Sequence, residues 1–441
     1  MEALDLHRLQ FAFTITYHYL FPQLTMGLAL LIFVFKSLGL RKGDERYLAA
    51  ARFWARILGV AFVFGVVTGI PMEFQFGTNW ARFSGAAGGA IAQLMAMEGV
   101  FAFFLESSFL YILLYREKDL GQRIHWLSSL LLFLGTWSSG FFITAVNAWM
   151  QHPVGYRVEA DGVFQLESIG ALFSNIWLWP QFAHTMLGSL VTASFVVAGT
   201  GAFYLLRDQH VPIAKRFLQI AVPFGLVASL LLAFPTGDMQ AKLVLEHQPV
   251  TFAAMEGHFH TERGAGLTLI GQPNMDTLEL ENPIVVPNLL SVMTYQRWDA
   301  EVQGLTEFPR ETWPDHVPLL YYSYHIMAGL GTLFMGILSA AAFFLWKGTL
   351  FKQRTLLWWL MMFMPLPFVA NTTGWMTAEL GRQPWVIYGL MKTADASSLN
   401  VSGGNVMMTL LGYAGLYTLF SILCVLLVAR IVTQGPEEVK A

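Results

Sequence analysis

Nine stretches of this chain are apolar for about 20 residues or more, the length a helix needs to cross a hydrocarbon core roughly 30 Å thick. They fall near 9–37, 52–76, 88–115, 124–149, 180–206, 216–236, 317–346, 354–376 and 406–430. In lipid every backbone polar group must be satisfied within its own segment, so runs of this kind fold as helices. The expected class is therefore an all-α integral membrane protein of about nine transmembrane helices with one long extracytoplasmic loop. Residues 1–236 hold the first six helices, 237–316 the loop and 317–441 the last three.

Composition agrees. Only 12% of the 441 residues are charged, against about 25% in a soluble domain. Fourteen Trp and 36 Phe suit bilayer interfaces and packed cofactor pockets alike. A net charge of -3 gives no footprint for nucleic acid. The single cysteine, Cys424, lies in an apolar run. It cannot form an internal disulfide, and it excludes an all-cysteine iron–sulfur or structural zinc site within the chain. The start, Met-Glu-Ala-Leu-Asp, is acidic where a cleavable signal needs positive charge, so no such signal is expected. No heptad or short-period repeat points to a solenoid.

The connections alternate in charge. Lys36, Arg41, Lys42, Arg46 and Arg52 separate the first two segments; Arg116, Lys118 and Arg123 follow the third; Arg207, Lys215 and Arg216 the fifth; Lys347, Lys352 and Arg354 the seventh. Only Arg82, Arg157, Arg382 and Lys392 occupy the intervening short connections. Lys and Arg collect on the cytoplasmic side. The expected topology thus has the N-terminus outside, the C-terminus inside and the loop outside.

Polar residues inside such segments are costly and mark partners or functions. His18, His184, Met327 and Glu379 all fall, under this topology, in the outer half of the membrane. Haem iron accepts His, Met or carboxylate as axial ligands. A His–Met pair closes both axial positions and suits electron transfer, whereas a lone His or Glu leaves one face open for a small ligand. Taken singly, a membrane His is ordinarily a helix-to-helix hydrogen-bonding residue, and Met327 alone would be core filler among 20 Met.

Glu98 and Glu106 share the third segment. Eight residues span about 12 Å and about 80° beyond two full α-helical turns, so the two carboxyls face broadly one sector. Such a ladder can relay protons; each could equally be salt-bridged or held neutral by hydrogen bonds. In Gly-Arg-Gln-Pro-Trp at 381–385, Arg382 can grip a propionate bidentately or serve as an interfacial anchor beside Trp385, and Arg8 has the same two readings. His325, two residues before Met327, can be a ligand, a propionate partner or a charge tuning a haem potential.

Together these residues resemble a known family, subunit I of the cytochrome bd-type quinol oxidases, over nearly the whole chain. The motifs that carry the resemblance are Arg-Leu-Gln-Phe-Ala at 8–12 with His18, Gly-Ile-Pro-Met-Glu-Phe-Gln-Phe-Gly-Thr-Asn-Trp at 69–80 and Glu-Gly-Val-Phe-Ala-Phe-Phe-Leu-Glu-Ser at 98–107. Asn-Ala-Trp-Met-Gln-His-Pro-Val-Gly at 147–155, the His184 segment and Trp375 through Trp385 complete the set.

The resemblance implies three haems. His184 and Met327 match the ligands of a low-spin haem b. His18 and Glu379 match axial ligands at two high-spin haems, one a haem b and the other a haem d or a third haem b. Glu98 and Glu106, with Ser107 beside them, match proton-path and haem-site carboxylates. Trp375 matches an aromatic residue near the haems, and Arg382 with Gln383 belongs to the family signature. The long loop matches the quinol-binding loop in its short form, with Glu256 as its functional glutamate.

The implied activity is quinol oxidation coupled to reduction of oxygen to water. The implied setting is a prokaryotic plasma (inner) membrane, with a second membrane subunit (subunit II) and, as an option, a small single-helix subunit. Two positions depart from the family: His325 stands where an arginine is usual, and Thr251 where the loop usually has a lysine. The first bears on the low-spin haem's potential and the second on quinol affinity. Apart from the resemblance, two other classes stay open, a proton-coupled transporter and a haem-bearing gas sensor.

Overall fold

The computed structural model describes residues 2–438. Among these, nine helices are long and apolar enough to cross a membrane. They are span 1 (Ala3–Lys42), span 2 (Glu45–Thr78), span 3 (Ala81–Tyr115), span 4 (Glu117–Gln151), span 5 (Leu178–Leu206), span 6 (Val211–His247), span 7 (Val317–Trp346), span 8 (Arg354–Gly381) and span 9 (Gly403–Gln434). Each contains its predicted apolar segment; span 7 coincides with it, and the others extend it at one or both ends. Span 5 is the central post, with 83% of its apolar window buried, whereas span 9 buries 6% and stands at the periphery. The main core joins the second half of span 1 to spans 2, 5 and 6, with Phe35, Phe53, Trp54, Phe195 and Phe217 at its centre.

Several spans are interrupted, and proline explains three of the interruptions. Span 1 breaks at Leu20–Phe21 and restarts at Pro22 in the first helical position, where the missing N–H costs nothing. Span 8 breaks between Met362 and Leu366, at Pro365. In span 6, Pro235 cannot donate to the carbonyl of Leu231. The helix widens there into a π-turn over Leu232–Gly237 and continues as Asp238–His247. The Thr236 hydroxyl donates to the oxygens of Leu231 (3.2 Å) and Leu232 (3.1 Å) and restores the lost bond. Span 6 therefore runs past the expected end at 236, and the long connection occupies 248–316.

That connection is folded. A short helix, Pro249–Glu256, packs with Phe259, Leu290, Val302, Leu305 and Trp313 in a core of its own against span 7. An antiparallel hairpin of strands Leu267–Asn274 and Glu279–Val286 stands beside it.

Candidate functional site

Two histidines are held by the same device. His18, in the last turn before the break in span 1, meets Thr68 of span 2 at 3.1 Å from Nδ1 to Oγ1. His184 of span 5 meets Thr236 of span 6 at 3.0 Å in the same way. Each threonine gives its one hydroxyl proton to carbonyls of its own helix, Thr68 to Phe64 at 2.8 Å and Gly65 at 3.1 Å. Toward the imidazole the hydroxyl can then only accept, so Nδ1 carries the proton and Nε2 keeps its lone pair. Fixing the tautomer through the other ring nitrogen is how proteins prepare a histidine for a metal.

His184 faces a cavity also lined by Met327, Gly374, Trp375, Asn371, Gln181 and Thr251. Gly374 of span 8 lets span 7 come close: a Cβ there would lie 2.8 Å from Met327 Sδ. The Trp375 ring walls the same cavity and packs edge-on against Tyr19, with centroids 5.8 Å apart, so one indole lies between the His184 cavity and the neighbour of His18.

Glu379 accepts from Asn147 Nδ2 at 2.7 Å and forms a close ion pair with Arg382. Asn147 accepts in turn from Gln181 at 2.7 Å. Arg382 is 3% exposed, and its Nε and Nη1 donors have no hydrogen-bond partner among the described residues. Buried donors are satisfied in nearly all folded proteins, so this guanidinium is prepared for an anion. Gln383 accepts from Thr393 (2.8 Å), while Arg8 bonds Asp315 (2.8 Å) and reaches Gln383. Arg8 thus ties the start of span 1 to the loop after span 8.

Span 3 carries the carboxylates, and its local shape changes their expected relation. Glu98–Phe103 is a π-turn. Such a turn absorbs one extra residue, which takes the angle between Glu98 and Glu106 from about 80° beyond two turns to about 20° short of them. The two carboxyls are brought onto one face. Glu98 accepts from Ser139 Oγ at 2.7 Å. Glu106 is buried, and Gly135 of span 4 leaves room for its backbone. Ser107 is not part of this arrangement, since its hydroxyl turns back to the Phe104 carbonyl.

The loop helix lines the same cavity with Thr251 and Met255, while the buried Glu256 meets Tyr324, which lines it too. Burial pushes the Glu256 carboxyl up to about 7, against a hydrogen bond from Tyr324 that pulls it down. Thr251 donates to the Gly381 carbonyl at 2.7 Å and fastens the loop helix to the end of span 8. His325 places Nδ1 2.9 Å from the Tyr321 carbonyl and Nε2 3.0 Å from that of Thr268, which leaves neither nitrogen for iron.

Thr68, Thr236, Asn147, Gln181 and Ser139 were not singled out from the sequence. The only signal for Asn147 was its place in the 147–155 motif. A threonine in a helix normally bonds its own backbone, so nothing distinguished Thr68 or Thr236.

The family model for cytochrome bd terminal oxidase subunit I matches residues 6–436. The chain belongs to that family. It is 35% identical to cytochrome bd ubiquinol oxidase subunit 1 of Bacillus subtilis, over 99% of this chain and 95% of the relative. It is 29% identical to cytochrome bd-II ubiquinol oxidase subunit 1 of Escherichia coli, over 100% and 98%. The bd oxidase structure from Geobacillus thermodenitrificans superposes with a TM-score of 0.90 at 29% identity, covering 99% of both chains. The chain is thus a multi-pass membrane subunit of a quinol:oxygen oxidoreductase, a haem protein of the respiratory chain, and the transporter and sensor classes fall away.

The residues present fit haem. Both histidines offer a free Nε2, one of them into a cavity with a methionine thioether, and a buried arginine has donors to spare. Among the described residues no three His, Cys, Asp or Glu gather into an all-protein metal site.

Proposed function

We propose that this subunit oxidises quinol at its outer side and reduces oxygen to water within the bundle, in a prokaryotic plasma membrane, with its N-terminus outside and its C-terminus in the cytoplasm. The observation that carries the reading is the pair of threonine-fixed histidines, one of them in a cavity with Met327. His184 and Met327 would hold a low-spin haem b. His18 and Glu379 would each hold a high-spin haem, one a haem b and the other a haem d or a further haem b. When bound, these groups supply one-electron transfer and a site for oxygen.

The chain's own residues do the rest. Glu256, titrating near 7, accepts a proton from quinol and passes it outside. Arg382 offers its spare donors to a propionate, and Glu379 is kept in place by Asn147. Glu106 and then Glu98 bring protons from the inner side. Electrons and protons thus meet from opposite sides of the membrane and build a proton motive force without pumping. A second membrane subunit completes the enzyme, with a small single-helix subunit as a further component.

The deciding experiment is a reduced-minus-oxidised spectrum of the purified oxidase, with and without carbon monoxide. Low-spin b bands together with a CO-sensitive high-spin component support the reading, and a far-red band assigns haem d. A featureless spectrum from folded protein would overturn it.

Two variants test single residues. Gly374→Ala should fold as well as the parent, since Ala favours a helix by about 1 kcal/mol over Gly and a flexible thioether can move aside. It should weaken the low-spin bands by displacing Met327. Unchanged bands would remove Met327 as a ligand.

In the parent, quinol oxidation should rise with pH through about 7 as Glu256 ionises and becomes a base. Glu256→Gln should lower the rate by about 100-fold and flatten that profile. A profile that kept its shape in the Gln variant would place the base elsewhere.

A further inference from the structure

The loop hairpin is apolar and exposed at its base, where a soluble loop should be polar. Ile270 is 63% exposed, Ile284 56%, Leu269 50% and Val285 44%. Register pairs Ile270 with Ile284 on one face, with Leu269 and Val285 beside them at the same end of the hairpin. Trp298, 68% exposed, and Tyr295, 45% exposed, follow shortly after the second strand. The far end of the hairpin has the opposite character, with Asp276, Glu279 and Glu281 all exposed.

Contacts with span 7 fix the hairpin's height. The Thr268 carbonyl meets His325, eight residues into a span that starts at Val317, or about 12 Å down its axis. Gly271 meets the Tyr321 hydroxyl, one turn nearer the outer end. The first strand therefore climbs outward along span 7, base low and tip high. Span 7 has 30 residues, about 45 Å of helix against a core of roughly 30 Å. With the excess shared between both ends, the outer boundary falls near Tyr322, and the hairpin base lies at or just inside it. At this height span 7 itself exposes Leu319, Tyr322 and Ile326.

We infer that the base of this hairpin, with Trp298 and Tyr295, is seated in the outer leaflet and packs against lipid, while the acidic tip stays in water. Three features favour lipid as the occupant. The apolar patch is continuous in depth with an exposed apolar face of a spanning helix. Polarity changes along the hairpin in the direction of the membrane normal. The exposed Trp298 and Tyr295, which follow the hairpin in the chain, are of the kind that collects at bilayer interfaces. The inward side of the same hairpin supplies Leu280, against Gly257 at the end of the Glu256 helix. The leaflet contact would therefore hold the Glu256 helix at the level from which a lipid-dissolved molecule enters. The inference needs only the spans and stands apart from the quinol reading.

The test uses the whole oxidase in lipid nanodiscs, spin-labelled singly at Ile270→Cys, Ile284→Cys and Glu279→Cys in a Cys424→Ala background. Relaxation by oxygen is compared with relaxation by a water-soluble nickel chelate. Oxygen should dominate at 270 and 284, and the ratio should reverse at 279. Nickel dominance at 270 and 284 would overturn the proposal, because the base would be in water. Low access to both reagents would also overturn it, because a protein partner would cover the patch. The unsubstituted oxidase gives an independent readout: a lipid-dissolved photoreactive probe should label residues 266–271 and 283–286, and absence of label there counts against the inference.

Discussion

Replacing His184 with Ala should remove the low-spin haem signal altogether, while a CO-reactive component survives. Loss of an outer-shell partner typically costs 10–100-fold in metal affinity, and loss of the ligand itself costs more. Haem affinity at this site should therefore fall by more than about 100-fold, and quinol-dependent oxygen uptake with it. The CO-reactive component persists because His18 is held by a different threonine on a different helix. Thr236→Val should give a weaker form of the same result. The Nδ1 proton then loses its acceptor, the ring loses its orientation, and the midpoint potential rises as the ligand becomes less basic. Thr236→Ser, which keeps the hydroxyl, should restore the parent potential. Low-spin bands of parental intensity in His184→Ala would refute the assignment of this residue.

Glu106→Gln should cut oxygen reduction by about 100-fold or more, the usual worth of a positioned proton carrier. Its haem spectrum should remain that of the parent. The amide has the carboxyl's shape, so the packing against Gly135 of span 4 is preserved, but it cannot take up and release a proton. Keeping a carboxylate in the hydrocarbon costs about 3 kcal/mol, and the Gln variant should for that reason be no less stable. Wild-type turnover in the variant would show that protons reach the oxygen site another way. Loss of haem with turnover would show that Glu106 is structural. Glu98→Gln should behave alike, with one difference: the bond to Ser139 can persist through the amide oxygen.

The nine spans were legible because lipid permits one solution for a long apolar run. His18, His184, Glu98, Glu106 and Glu379 stood out as groups able to bind iron or carry protons in or beside those apolar runs. What escaped was pairwise. Thr68 lies 50 residues from His18, and Thr236 lies 52 from His184, and no local pattern joins them. Span 6 ran past its expected end for a related reason. Asp238 and Lys242 looked like the start of a soluble loop, but at four residues apart on a helix they form an ion pair of 2.7 Å and carry it forward. The relative facing of Glu98 and Glu106 depended on a π-turn, and apolar sequence does not announce one. Of the three readings of His325, the carbonyls of Tyr321 and Thr268 beside its two nitrogens speak against the ligand.

The π-turn in span 6 has a developmental logic of its own. One surplus residue in a helix acts like a slipped tooth between two gears: everything beyond it is rotated, and everything before it stays in mesh. The part of span 6 before the π-turn keeps its packing on spans 2 and 5, while the part from the turn onward is rotated so that Thr236 meets His184. A helix that had to serve both tasks in one unbroken phase would compromise one of them. Removing a single residue from Leu232–Gly237 should therefore leave the protein able to fold and insert, yet swing the threonine off the histidine by about a quarter turn.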